Sequence, residues 1–459
     1  MNTEKTFDEI LDSAKRIHFI GIGGSGMCPL AEILHAKGFY LTGSDNNETD
    51  TLQRVRNLGI PVVLGQKAEN VDGADLVIYT AAILPDNPEL VASFKKGIPT
   101  FERAVLFGAI TKRYGNCVGI CGTHGKTTVT AMLSQILIEN GFDPSTVIGG
   151  KLPLTGTSGR VGSSDTLVCE ACEFKDHFLE LYPDVSVILN VDCDHMEYFK
   201  TLENLKHSFG VFADKATKCV IFNGDDKNTV DSIASIGKNK DFISFGMSDK
   251  NDYYPGRIEW VNGAYAAFDV YRKGKCLGRV ELSIPGEHNI INALAATAAA
   301  MYCGADFAQC SKSIHNFEGA GRRFEKLGFL NGAQIADDYA HHPAELSVTL
   351  SAAKKMDYKR VWAVFQPFTY SRTAMLLDDF AEALSIADKV VMTDIMGSRE
   401  VNTYGITTQD LADKIPGSVW YPTFEEVADY LRANIAEGDL VITLGCGDVY
   451  KIAKMLLKK

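Results

Sequence analysis

The chain has 459 residues, of which 46% are hydrophobic and 23% charged, with a net charge of -12 at pH 7. That length suggests about three domains with substantial cores, and the acidic balance argues against nucleic acid as the main partner. The polar start "MNTEKTFDEILDSAKR" and the lack of any long uncharged apolar run predict neither a signal peptide nor membrane insertion, and the 11 scattered cysteines read as reduced thiols, so a cytoplasmic protein is expected.

In chain order the pattern is strand then helix, repeated, which is the rhythm of a parallel α/β sheet covered by helices. "RIHFIGIGGSGM" predicts a strand and a glycine turn, "CPLAEILHAKG" a helix, and "FYLTGSD" and "ADLVIYTAAI" further strands. The rhythm restarts near residue 115 with "NCVGICGTHGKTTVTAMLSQILIENG", followed by strand candidates "DTLVCEA" and "VSVILNV" and the alanine-rich helix "HNIINALAATAAAMYCG". It restarts again near 324 with "AQIADDYA", "RVWAVFQP", "KVVMTDI" and "DLVITLGCG". Three domains are expected, at 1–110, 111–323 and 324–459.

Two glycine-rich loops stand out. Gly21, Gly23 and Gly26 form G-x-G-x-x-G after a strand, with Asp45 about twenty residues on. Alone this fits a dinucleotide; the same geometry holds any diphosphate, including that of a UDP-sugar. Gly122, Gly125, Lys126 and Thr127 form G-x-x-G-K-T, a shortened phosphate loop. Its glycines let successive N–H groups turn inward. Lys126 can reach the β/γ-phosphates, Thr127 can ligate Mg²⁺, and the following helix aims its positive end at the anion. This loop points to a nucleoside triphosphate, and the pair of loops to ATP on one domain and a diphosphate substrate on another.

Acidic and imidazole groups follow the strand candidates. "CEACE" offers Glu170 as an oxygen ligand for magnesium, and "DCDH" offers His195 for a second metal or a phosphate. Cys169, Cys172, Cys193 and His195 also resemble a zinc set, although Cys169 sits in an apolar run that reads as core. "GAGRRF" supplies two arginines, one of which can clamp a γ-phosphate as domains close. "DDYAHHP" packs acids, a tyrosine and two histidines after a strand, and "FQPFTYSRT" offers Arg372 to hold a carboxylate.

Together, "GIGGSGM", "DNPE", "GTHGKTT", "EACE", "DHMEYF", "HNIINALAA", "GRRF", "DDYAHHP", "QPFTYSRT" and "GCGD" resemble the Mur ligase family over nearly the whole chain. The resemblance implies an N-terminal Rossmann-like UDP-binding domain, a central P-loop ATPase domain with a mostly parallel sheet, and a C-terminal Rossmann-like domain on the amino-acid side. The implied reaction joins an amino acid, here L-alanine, to the lactyl carboxylate of UDP-N-acetylmuramate through an acyl phosphate, with ATP and Mg²⁺. By family position, Gly122, Thr123, His124, Gly125, Lys126, Thr127 and Thr128 hold ATP, with Asn289 and Asn292 on the adenine side, Asp338 at the ribose and Arg323 near the phosphates. Thr127, Glu170 and His195 are the implied metal ligands, and Lys126, Glu170, His195 and Arg323 the catalytic set. Gly23, Gly24, Ser25, Gly26, Asp45 and Arg160 fall to the sugar nucleotide, and Tyr339, His341 and Arg372 to alanine.

Several positions depart from the family pattern. Cys172 stands where the acidic motif often has Asp, Ala340 where Gly is usual, and Phe368 where His is common, while Ser158 and Gly159 alter the loop before Arg160. A murein-tripeptide ligase of the same family and, more distantly, an NAD(P)-dependent oxidoreductase are the alternatives. Monomer and homodimer both stay open.

Overall fold

The computed structural model describes residues 5–398 and 400–458. Three sheets form, as the three restarts of the β/α rhythm anticipate. The first contains β1 (Arg16–Ile20), β2 (Tyr40–Asp45), β3 (Val62–Leu64), β4 (Leu76–Tyr79) and β5 (Thr100–Glu102) in the order β3-β2-β1-β4-β5, all parallel. β1 is buried along almost its whole length, as expected of a central strand with both faces covered.

The second sheet has ten strands. These are β6 (Asn116–Cys121), β7 (Ser145–Leu152), β8 (Thr157–Arg160), β9 (Thr166–Glu170), β10 (Val185–Ile188), β11 (Cys219–Asn223), β12 (Asp241–Phe245), β13 (Tyr253–Val261), β14 (Tyr265–Arg272) and β15 (Lys275–Glu281). They run in the order β15-β14-β13-β12-β11-β10-β6-β9-β7-β8. From β12 through β7 the neighbours are parallel, and β8 closes the edge as an antiparallel hairpin on β7. The sequence reading does not include β13–β15, which carry no glycine motif and no long apolar run.

The third sheet holds β16 (Glu325–Leu330), β17 (Ala333–Asp338), β18 (Arg360–Phe365), β19 (Lys389–Thr393), β20 (Val419–Tyr421) and β21 (Asp439–Leu444), in the order β16-β17-β21-β18-β19-β20. Only β16 is antiparallel to its neighbour. Its core is built from alternate faces of these strands, such as Ile335, Val364 and Val441 on one side and Ala336, Phe365 and Ile442 on the other.

By packing, the chain divides into two compact units. The first comprises residues up to 255 with 270–278 and 291–313; the second comprises 256–269, 279–290 and the chain from 314 onward. The first sheet and strands β6–β12 of the second therefore share a unit. Within it, helix Cys28–Ala36 lies against β8, with Gly159 pressed on Pro29. Arg54 fastens this contact, donating to Gly159 O at 2.9 Å and to Glu32 at 2.8 Å.

Each sheet has an inner strand with parallel neighbours on both sides, and ligands of open α/β sheets gather at the carboxyl ends of such strands. β1 lies between β2 and β4, β6 between β10 and β9, and β21 between β17 and β18. "GIGGSGM", "GTHGKTT" and "GCGD" follow directly from these three ends.

Candidate functional site

The central loop leaves β6 at Cys121 and enters helix Lys126–Glu139. Gly122 and Gly125 adopt φ of +144° and +87°, which side chains disfavour. A Cβ on Gly125 would also stand 2.7 Å from Asn292 Oδ1, so the predicted adenine-side residue Asn292 does border the loop. Thr128 lies in the first turn of the helix. Asn190, beyond the end of β10, staples the loop: it accepts from His124 N at 2.8 Å and donates to His124 O at 3.0 Å. Its own carbonyl accepts from Thr123 N at 3.1 Å, and Asp192 N donates to the Thr123 hydroxyl at 2.9 Å.

Lys126 curls back over this loop. Its ammonium donates to Thr123 O at 3.1 Å and to Glu173 Oε1 at 2.9 Å. Burial opposes the charge on Lys126, but the nearby Glu173, Cys172 and Glu170 outweigh it and its pKa is raised. The amine is thus held protonated and ready for a polyanion. Glu173 is itself buried, and its second oxygen has no partner among the described residues.

Thr127 and Glu170, two of the three expected metal ligands, lie in contact. Thr127 Oγ1 donates to Glu170 Oε2 at 2.9 Å, and Gly149 N donates to the same oxygen at 2.8 Å. A hydroxyl and a carboxylate at a loop mouth make the all-oxygen donor set that magnesium prefers. His195 takes a different company. It starts the short helix Met196–Phe199 with φ +55°, packs on Phe174 at 4.9 Å between ring centroids, and groups with Glu173 and Asp194. The potential ligand atoms of these three residues lie within 4.8 Å of one another. The zinc alternative does not assemble: among the described residues no cysteine joins this group, and Cys169 is buried in the core 4.0 Å from Cys117.

The first loop is built differently. Gly21 N and Ile22 N both donate to Ser44 O, at 2.8 and 3.0 Å. Asp45 accepts from Gly23 N at 3.0 Å, so the acid of the fingerprint is engaged with the loop itself. Gly24 and Ser25 form the exposed tip, and Gly26 faces Arg103. Arg160, at the end of β8, donates to Pro144 O at 2.8 Å and pairs with Asp143.

In the second unit the two arginines of "GRRF" separate in role. Arg322 is a pin: it donates to Asp337 at 2.8 Å and Gly445 O at 2.6 Å, and lies between the rings of Tyr339 and Tyr450. Arg323 meets Tyr339 from its own side, 5.2 Å from the ring centre. Asp338, at the end of β17, accepts from Phe324 N at 2.7 Å and Ala340 N at 2.8 Å. Burial pushes its pKa up to about 6, against the pull of Arg323. His341 Nδ1 stands 3.2 Å from Glu345, and Asn289 donates to Pro285 O at 2.7 Å. Arg372 occupies the first turn of helix Tyr370–Met375, capped by Thr369, and its charge reaches Cys446 of "GCGD".

Asn190, Glu173 and Asp194 were not among the residues chosen from sequence. Glu173 had a signal, as the last acid of "CEACE". Asn190 had none beyond its place after a buried strand.

Three family models cover the chain: the Mur ligase family catalytic domain at residues 16–115, the Mur ligase middle domain at 120–300, and the Mur ligase glutamate ligase domain at 322–447. The chain belongs to the Mur ligase family. Members of this family are ATP-dependent, ADP-forming ligases. It is 44% identical to the UDP-N-acetylmuramate–L-alanine ligase of Caldanaerobacter subterraneus subsp. tengcongensis, over 98% of both chains. It is also 44% identical to the enzyme of that name from Agathobacter rectalis, over 96% of this chain and 98% of the relative. Among solved structures, the UDP-N-acetylmuramate–alanine ligase of Thermotoga maritima superposes with a TM-score of 0.82 at 28% identity, covering 96% of this chain and 98% of the other. A murein peptide ligase from Psychrobacter arcticus shares the fold, with a TM-score of 0.76 at 22% identity over 96% and 98% of the two chains. The three-domain α/β architecture expected from sequence is thus the family's.

Proposed function

We propose that this Mur ligase joins L-alanine to the lactyl carboxylate of UDP-N-acetylmuramate, converting ATP to ADP and phosphate in cytoplasmic peptidoglycan precursor synthesis. The observation that carries the reading is the loop mouth where Lys126, Thr127 and Glu170 converge, on a chain matching alanine ligases along their full length. The domains run 1–110 for the UDP-sugar, 111–323 for ATP and 324–459 for the amino-acid side.

A carboxylate is a poor acyl donor. Its attack on the γ-phosphate of ATP gives an acyl phosphate, whose phosphate then leaves as the alanine amine adds. Both partners of the first step are anions, so fixed cations must offset their repulsion. Lys126 supplies one by leaving Glu173 for the β/γ-phosphates, and Arg323 supplies another. Thr127 and Glu170 would hold Mg²⁺, which when bound neutralises phosphate charge; His195, with Glu173 and Asp194, suits a second cation. Asn289 and Asn292 face the adenine and Asp338 the ribose. Gly23 to Gly26, Asp45 and Arg160 serve the sugar nucleotide. Tyr339, His341 and Arg372 position alanine, the arginine matching its carboxylate with a planar fork.

The test is phosphate release from ATP and Mg²⁺ with UDP-N-acetylmuramate, offering L-alanine, glycine, L-serine and murein tripeptide in turn. Release that requires both the sugar nucleotide and L-alanine is expected. Release with tripeptide alone would reassign the chain within its family to the recycling reaction.

A further inference from the structure

Arg103 begins helix Arg103–Thr111, directly after β5. Neither glycine loop contains it, yet it sits where their neighbourhoods meet inside the first unit. A Cβ on Gly26 would stand 3.3 Å from Arg103 Nη1 and 3.4 Å from Cζ, so the guanidinium lies directly against the third glycine of the first loop. On its other side it lies within electrostatic reach of Cys172, Glu102 and Glu170, while burial pulls its pKa below the usual arginine value.

None of these groups is an ion-pair partner for it. Glu102 is taken by His177 Nε2 at 3.0 Å. Glu170 is taken by Thr127 and by Gly149 N. Position 172 is a thiol. Among the described residues the guanidinium makes no hydrogen bond or ion pair, and its neighbour at longer range is the Phe107 ring, 6.0 Å away. The half-buried guanidinium has no counter-ion among the described residues, and all five of its N–H donors remain to be used. The loop tip beside it, Gly24 and Ser25, is exposed, so a ligand has access.

We propose that Arg103 is an anion-binding residue of the sugar-nucleotide site, receiving an oxyanion of that ligand in its guanidinium fork. The oxyanion belongs either to the diphosphate or to the sugar-linked carboxylate, since both chemistries suit a bidentate arginine. The assignment rests on the function proposed above.

The test is calorimetric titration of the full chain with UDP-N-acetylmuramate and with UDP-N-acetylglucosamine, which lacks the carboxylate. Wild type, Arg103→Met and Arg103→Lys are compared, with thermal melts and the KM for ATP as controls. Arg103→Met is expected to weaken UDP-N-acetylmuramate by about ten- to a hundredfold, with Arg103→Lys recovering part of the loss and the KM for ATP within about twofold. A loss with both nucleotides assigns the diphosphate; a loss confined to the muramate assigns the carboxylate. Unchanged binding in a folded Arg103→Met chain overturns the proposal and leaves the function standing. If Arg103→Met does not fold, unchanged binding in Arg103→Lys overturns it in the same way. A wild-type chain that binds ATP but neither sugar nucleotide overturns the function and the proposal together.

Discussion

The two glycine loops sit at equivalent places in their sheets, each after an inner parallel strand, yet they use glycine for different reasons. In the central loop Gly122 and Gly125 are needed for backbone conformation, at φ +144° and +87°. The loop is then fixed by Asn190 and closed over by Lys126. In the first loop Gly21 is the position with positive φ; Gly23 and Gly26 are needed for space, because Asp45, Leu52 and Arg103 crowd them. The central loop is tied by Asn190 to the chain after β10. A loop built on clearance relies on neighbouring side chains, which have other positions available.

Substitutions can break this contrast. Lys126→Ala carries the largest expected effect, a loss of ligation rate of about a thousandfold, typical of removing a cation aimed at transition-state charge; phosphate release measures it. Gly125→Ala should follow. Strain at φ +87° and the close Asn292 Oδ1 should cost about 1–3 kcal/mol of stability and raise the KM for ATP, as read by thermal melting and kinetics. Glu173→Gln frees Lys126 from its buried carboxylate and should cost about 1–2 kcal/mol in the absence of nucleotide. That difference should shrink when ATP saturates, because the lysine then leaves Glu173 in either protein; melts with and without ATP test this. Gly26→Ala should be mildest, with stability within about 0.5 kcal/mol and a few-fold rise in the KM for UDP-N-acetylmuramate as Arg103 shifts by a few tenths of an ångström. If Gly26→Ala proves as damaging as Gly125→Ala, the distinction between the loops fails.

The motifs that advertise themselves locally were readable without coordinates. A strand, a glycine turn and a helix are contiguous in sequence, so both loops could be anticipated; that Thr127 and Glu170 act together was expected only from the family resemblance. Asn190 and Arg103 could not, because their importance comes from strand order; Glu173 was signalled by its motif, but its pairing with Lys126 was not. β10 lies beside β6 although β7, β8 and β9 come between them in the chain, and only this adjacency brings Asn190 to the loop. Arg103 depends on a helix of one sheet meeting a loop that follows the second. The two arginines of "GRRF" show the same limit: both types fit an anion clamp, and only the aromatic sandwich and the bond to Asp337 show that Arg322 is spent on structure.

The hairpin β7–β8 has a further consequence. β8 ends the ten-stranded sheet, and an uncovered edge strand invites pairing with another chain. Here helix Cys28–Ala36 lies along it, with Gly159 on Pro29 and Arg54 bonded to the Gly159 carbonyl. Helix Cys28–Ala36 therefore covers this edge of the second sheet. A fragment beginning at residue 111 would keep its phosphate loop but lose that cover, and its natural fate would be edge-to-edge aggregation.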